Sequence, residues 1–481
     1  MPQIRLKAGM KAMLLSLAAG GMLLGSHSGL AQERKVGSFL KPTKVSAADK
    51  KFINDLEYKT FRWFWDTANS KTGLVPDRAP LPKGAASIAS VGFGLTAYGI
   101  GVERGYITRN EAVERTLKTL KFIESLPQND RPMGSAGYKG FYYHFLDQET
   151  GLRVADWSEL SSVDTALFMS GVLFSQSFYT RNDAREKEIR QIADRLYRRI
   201  DWNWMSVNHP FLSMGWTPPN HYLSNDWKGY NEGLIIYLLA MGSPTNAVPQ
   251  NTWKTWTDSY AHQWGEFQGY KFLNFAPLFG HQYSESWIDF RGIQDDFSRA
   301  HNTDYFQNSR AAVYAQRAYA MANPGDWKDY GANIWGLTAC DGPGDEKQSY
   351  NGKMRHYMSY SARGAGLDYI SDDGTLAPTA AGGSIAFAPE IVIPALREMH
   401  QKYGDRIYNQ YGFLDSFNPS FQKDGHYWVA NQQLGIDQGP ILLMIENWRN
   451  GFVWKVMKKN KYVRSGLMRA GFQGGWLSHK R

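Results

Sequence analysis

Six stretches of this chain are apolar almost all the way around a helical wheel. They are 91–102 (VGFGLTAYGIGV), 163–174 (VDTALFMSGVLF), 234–241 (LIIYLLAM), 310–321 (RAAVYAQRAYAM), 385–396 (IAFAPEIVIPAL) and 436–445 (IDQGPILLMI). A helix without a polar face is buried on every side. Between these stretches lie one-faced, charged segments. The first, 47–67, sets Phe52, Leu56, Phe61, Phe64 and Trp65 on or near one side. The segment 108–126 opens on Thr108 with Glu111 three residues on, the pattern of a capping box. Segments 186–199 and 252–264 are also amphipathic, and a basic amphipathic tail runs from 454. Four glycines in 91–102 leave a buried strand as the other reading there, because glycine weakens a helix. Within a helix they let a neighbour approach closely.

The apolar segments start near 91, 163, 234, 310, 388 and 440, at intervals of 71–78 residues and then 52. Solenoid repeats are shorter, about 20–50 residues. Inner helices alternating with outer ones account for the pattern. Two concentric rings of six bury the inner ring completely. The expected fold is therefore all-α, an (α/α)6 double barrel with small β-hairpins in its long loops. One such hairpin is expected at 141–156, where aromatic and polar residues alternate. An irregular α bundle with a small sheet is the alternative. Long loops precede the inner helices, so they gather at one end, and that end is the place for a site.

The first 31 residues read as an export signal. Arg5, Lys7 and Lys11 precede a short apolar run, and small residues end at Ala31. The expected organisation is signal peptide 1–31, linker 32–46, one domain over 47–475 and a tail, 476–481. A periplasmic or secreted protein follows, with no membrane span once the signal is removed. Net charge is +9, and loss of the signal's three basic residues leaves +6. No basic block stands outside the C-terminal tail, so nucleic acid is not an expected partner. Cys340 is the sole cysteine, which excludes an intrachain disulfide.

Common catalytic signatures are absent: no HExxH, P-loop, GxSxG elbow or Cys/His metal spacing. No metal and no cofactor are expected. What remains is carboxylates among aromatics, in a chain with 17 Trp, 27 Tyr and 25 Phe. Asp164, Glu232 and Asp437 each stand where an apolar helix begins, and Asp415 lies in the aromatic loop YGFLDSFNPS. Asp156 lies just upstream of Asp164. Trp216, Trp227 and Tyr230 precede Glu232, with Asn231 as the expected N-cap of its helix. A further cluster, HQYSESWIDFRG, contributes His281, Tyr283, Trp287, Asp289 and Arg291. An acidic residue in a first helical turn is also an ordinary cap or dipole partner. Three such starts among loop aromatics favour carbohydrate chemistry. Glycoside hydrolysis needs two carboxyl groups, one protonated and one ionised. At Glu232 the helix dipole favours the ionised form and burial the neutral one.

The motifs RWFWDTAN, SVGFGLTAYGIGVERGY, FYYHFLD, SSVDTAL, GYNEGLIIYLLAMGSPT, FGHQYSESWIDFRG, NSRAAVYAQRAYA, YGANIWGLTACDGP, GGSIAFAPE and GIDQGPILLMIENWR together resemble the bacterial glucoamylase-like domain family, glycoside hydrolase family 144, the β-1,2-glucanases. The resemblance runs over about residues 45–475. It implies an (α/α)6 barrel without a metal that hydrolyses β-1,2-glucan with inversion. It further implies Glu232, in GYNEG, as general acid, Asp437 or Asp415 as base, and Asp156 and Asp164 as sugar-binding or supporting groups. The expected partner is a β-1,2-linked oligo- or polysaccharide, and the expected state a monomer. Exo-acting hydrolysis, a non-catalytic glycan-binding barrel and a polysaccharide lyase are the competing functions.

Overall fold

The computed structural model describes residues 45–80, 84–219 and 221–478. The expected signal peptide, nearly all of the linker and the last residues of the tail lie outside them. The protein is mostly helical, with small antiparallel sheets and hairpins in its loops. No helix among the described residues is long and apolar enough to cross a membrane.

The helices, in chain order, are α1 (Ala47–Thr67), α2 (Ile88–Glu103), α3 (Arg109–Ser125), α4 (Ser162–Phe178), α5 (Ala184–Arg198), α6 (Trp202–Met205), α7 (Leu234–Gly242) and α8 (Thr252–Asp258). They continue with α9 (Phe279–Trp287), α10 (Asp296–Ala300), α11 (Tyr305–Ala322), α12 (Pro378–Gly382), α13 (Pro389–Ile407), α14 (Gly435–Asn450), α15 (Phe452–Met457) and α16 (Lys461–Arg469). Local chemistry explains several of their starts. Ser46 Oγ caps α1, and Thr108 with Glu111 closes the expected capping box of α3. Asp183 accepts the N–H groups of Arg185 and Glu186 at the head of α5.

Six helices are buried along nearly their whole length: α2, α4, α7, α9, α12 and α14. α2 packs on α4 and α14, α4 on α7, α7 on α9, and α9 on α14. α12 packs on α14 and is tied to α9 by Gln282 Nε2, which donates to Ala380 O at 2.9 Å. The glycines of 91–102 are helical, and their lack of side chains sets the α2–α4 distance. A Cβ on Gly92 would lie 2.4 Å from Leu167 O, and one on Gly171 would lie 2.0 Å from Gly92 O.

Two expected inner segments lie elsewhere. The stretches at 310 and 388 belong to α11 and α13, each of which keeps an exposed or half-exposed side, with Met321 and Pro394 facing solvent. Their interior places are filled by α9 and α12. The reason is chemical. α9 carries Gln282, Glu285 and Ser286 into the interior, where hydrogen bonding rather than apolarity makes burial tolerable. Segment 252–264 is helical only to Asp258, and Trp264 begins a strand of the hairpin Trp264–Phe267/Tyr270–Leu273. The alternation at 141–156 does form strands, Phe141–Tyr143 and Phe145–Asp147, though they pair with other partners rather than with each other.

Candidate active site

Acidic residues converge at the N-terminal ends of the buried helices. Asp164 lies in the first turn of α4, where the Ser161 side chain caps the helix and donates to the Asp164 carboxylate. Asp437 lies in the first turn of α14. Glu232 precedes α7 by two residues. The expected cap is corrected here: Gly233 occupies the N-cap position, while Asn231 Oδ1 accepts the Gly233 N–H at 2.9 Å and so shapes the turn that presents Glu232. Trp227 packs beneath that turn, its ring 3.1 Å from where a Gly233 Cβ would stand. Its indole N–H donates to Ser162 Oγ at 2.8 Å, which joins the Glu232 loop to the head of α4.

Burial dominates the electrostatics. Removal from water pushes the Glu232 carboxyl up to about 7, and the Asp164 charge adds to the effect. Its Oε2 atom is buried without a hydrogen-bond partner among the described residues. On α14, burial pushes Asp437 far up, and the adjoining carboxyl of Asp415 pushes it further. Asp415 rises to about 7, again chiefly through burial. The two carboxyls adjoin, and their Oδ1 (Asp415) and Oδ2 (Asp437) atoms have no other partner. Such a pair holds one proton between two oxygens more readily than two negative charges. Asp415 is fixed from its other side by the backbone N–H of Asp341, 2.8 Å from Oδ2. Asp341 in turn takes Arg78 Nη1 at 2.9 Å, and Arg78 Nε also pairs with Asp77. The short strand Arg78–Ala79 pairs with Gln433–Leu434, so this charged loop is stitched to the entrance of α14.

Tyr283, on α9, feels the charges of both groups. Burial raises its phenol far above the usual range, and Asp437, Glu232 and Asp164 all add to the shift. Tyr360 faces Asp437 and Asp415, and Tyr369 faces Glu232. All three phenols stay protonated and can act as hydroxyl donors.

Among the described residues one cluster has the donor set of a cation site: His144, Glu159 and Asp164. Both ring nitrogens of His144 already face carboxylates. Nδ1 is 2.9 Å from Glu159 Oε1, and Nε2 is 3.6 Å from Asp164 Oδ1. Burial alone would lower this imidazole, but Asp164 and Glu159 outweigh it and raise it to about 9. With a carboxylate at each ring nitrogen, the three residues form a bridge of charges.

Several expected sugar-contacting residues lie elsewhere. Trp216 is 1% exposed, packed against Tyr138 and Trp204 in the five-stranded sheet, and no sugar ring reaches it. Trp287 is fully buried and donates to Thr96 Oγ1 at 2.9 Å. Tyr230 and His281 bond to each other, 3.2 Å from Oη to Nδ1, and burial holds the His281 ring neutral, lowered to about 4. Trp227 supports the Glu232 turn from below. Asp289 follows the far end of α9 and pairs with Arg291 and Lys458, so both Asp289 and Arg291 are ion-pair residues away from the carboxylates. A cluster dense in chemistry along the sequence thus spans the whole length of one buried helix, and Tyr283 alone of its expected residues reaches the carboxylates. Asp156 is exposed on a loop, next to Trp157, which is 50% exposed beside Phe145. Reading the sequence missed His144, Asp77, Asp341, Tyr360 and Tyr369. They sit in loops without periodicity, although His144 and Asp341 fall inside the motifs FYYHFLD and TACDGP.

Comparison with known proteins places the chain in a family. A family described as "Putative glucoamylase" matches residues 224–461, a span that begins just before Glu232 and includes Asp415 and Asp437. A solved "putative glucoamylase" from Bacteroides uniformis is 32% identical, covering 90% of this chain and 100% of its own, with a TM-score of 0.78. An endo-β-1,2-glucanase from Chitinophaga pinensis, solved with sophorotriose and glucose, is 28% identical over 90% of this chain and 100% of its own, with a TM-score of 0.77. An exo β-1,2-glucooligosaccharide sophorohydrolase (non-reducing end) from Parabacteroides distasonis is 27% identical over 457 residues. That alignment takes in 89% of this chain but only 58% of the relative's length. With a relative this similar along nearly all of its length, and with the family match spanning Glu232, Asp415 and Asp437, the chain belongs to the "putative glucoamylase" family and is a glycoside hydrolase.

Proposed function

We propose that this protein is an endo-β-1,2-glucanase that inverts the anomeric carbon, built on an (α/α)6 double ring. The observation that carries the mechanism is the two sets of buried carboxyl oxygens at helix starts, Glu232 just before α7 and Asp415 with Asp437 at the head of α14. Glu232, raised to about 7, can hold its proton for the leaving glycosidic oxygen. The ionised member of the Asp415/Asp437 pair serves as base, taking a proton from water directly or through a substrate hydroxyl. A pair that shares one proton keeps one carboxylate available near neutral pH. Inversion requires the acid and the base to stand about 6.5–9.5 Å apart, with a water molecule between them. Asp164 backs Glu232, Asp156 and Trp157 line the rim, and the phenols of Tyr283, Tyr360 and Tyr369 meet sugar hydroxyls. The β-1,2-glucanase relatives support the linkage, and the leader of the sequence supports export to the periplasm or beyond.

The sophorohydrolase relative supports a second reading, exo-cleavage to the disaccharide. The test is incubation with linear and cyclic β-1,2-glucan beside β-1,3-, β-1,4- and α-1,4-glucans, with early products separated by size. Mixed short oligosaccharides from β-1,2-glucan alone are expected, with the α-anomer as first product by NMR. Disaccharide alone from the first turnover would replace endo by exo. Release from a different linkage would overturn the substrate.

A further inference from the structure

We propose that His144 is a positioning residue, an imidazolium that bridges Glu159 and Asp164 and thereby keeps Asp164 charged beside Glu232. The inference rests on the reading of Glu232 as general acid. It begins with geometry. His144 sits where three parts of the site meet. Its carbonyl accepts the first N–H of α2, from Ile88 at 3.1 Å, and its own N–H donates to Glu159 O at 2.8 Å. The ring stacks on Phe145 with centroids 3.8 Å apart, which fixes its plane. One nitrogen then meets Glu159 and the other Asp164.

The groups facing His144 are Asp164, Glu159 and, further off, Asp77, all acidic. Those facing Glu232 are Asp164 and the phenols of Tyr283 and Tyr369. Asp164 is therefore the group common to both. Buried as it is, Asp164 tends towards its neutral form, and the His144 charge is the strongest influence holding it ionised. An ionised Asp164 raises Glu232; a neutral one does not. The charge on His144 is thus relayed, through a carboxylate, to the proton on the candidate acid. Glu159, half-buried, anchors the far side of the ring.

Three measurements test this on the exported chain. In protein labelled with ¹⁵N-histidine, His144, assigned by its loss in His144→Gln, should stay doubly protonated through pH 8. A neutral ring at pH 7 overturns the proposal. In His144→Gln, kcat should fall by about 10²-fold with KM nearly unchanged. The alkaline limb of kcat/KM should move to lower pH by on the order of half a unit. Glu159→Gln, which carries less risk to folding, should lower the pH at which His144 loses its second proton. Folding of both variants is followed by circular dichroism. An unmoved limb in folded His144→Gln overturns the role. Dialysis against a chelator should change nothing; loss of activity restored by a divalent cation would make the cluster a metal site and overturn the bridge. Near-normal activity in Glu232→Gln would instead fell the acid assignment itself, and so separates the two failures.

Discussion

At the scale of residues, the site depends on how much water is removed from each carboxyl. Glu232 lies at the positive end of α7, which by itself favours the anion. Burial is the larger influence and leaves a group that titrates at about 7. Glu232→Gln should therefore cut sugar release by at least about 10³-fold, with circular dichroism unchanged, since glutamine keeps the shape but has no proton to transfer. The pH profile has a definite sign. A general acid works protonated, so kcat/KM should fall as pH rises through about 7. The base works ionised, and both members of the Asp415/Asp437 pair are raised, so the acid limb should lie above the ordinary carboxylate range. Asp437→Asn removes the mutual repulsion and should flatten that limb along with the activity. A profile limited only by groups near pH 4 would contradict both assignments.

At the scale of elements, two contacts hold the buried helices in place. The α2–α4 crossing is so close that Gly92 O occupies the space of any Gly171 side chain. Backbone cannot rotate away as a side chain can. Gly171→Ala should destabilise by about 3 kcal/mol, read from urea unfolding. At the opposite end of α14, Glu57 of α1 is wholly buried, adjoins Glu446 and takes Arg449 at 2.7 Å. Burial, then the Glu446 neighbour, raise its carboxyl from 4.5 to about 8. The folded state thus binds a proton that the unfolded chain releases. This contribution to stability is complete below about 4.5 and is lost as pH rises through about 8. Glu57→Gln carries its hydrogen permanently, so its Tm should fall less than the parent's between pH 5 and 8. Parallel Tm curves would remove Glu57 from the account.

At the scale of the molecule, loops and helix starts gathered at one end of the buried helices hold groups distant in sequence: Asp77, His144, Glu232, Asp341, Asp415 and Asp437. Endo action needs a site that a long polymer can pass across, and a cyclic glucan has no end to enter a closed pocket. Cleavage of cyclic β-1,2-glucan at a rate comparable to the linear polymer is the expected outcome for endo action. Resistance of the cyclic substrate, with disaccharide released from the linear one, would mark an exo enzyme.

How legible the protein was depended on whether the signal was local. Helices α2, α4, α7 and α14 could be read because wholly apolar helices must be buried, and α1 and α3 because one apolar face and a cap define each. Asp164, Glu232 and Asp437 could be singled out because each stands next to such a run. The interior places of α9 and α12 could not be read this way, since α9 is buried through hydrogen bonds that only its neighbours supply. Nor could the pairing of Asp415 with Asp437, or the seat of His144 between Glu159 and Asp164. Proton affinity in those groups is set by burial and by charges brought in from distant loops. By itself, then, the sequence determined a helical protein with carboxylates at its buried helix starts, because periodicity and burial are properties of adjacent residues. The tertiary structure alone decided which carboxylates face one another and which hold protons, because desolvation and Coulomb interactions depend on distance in space.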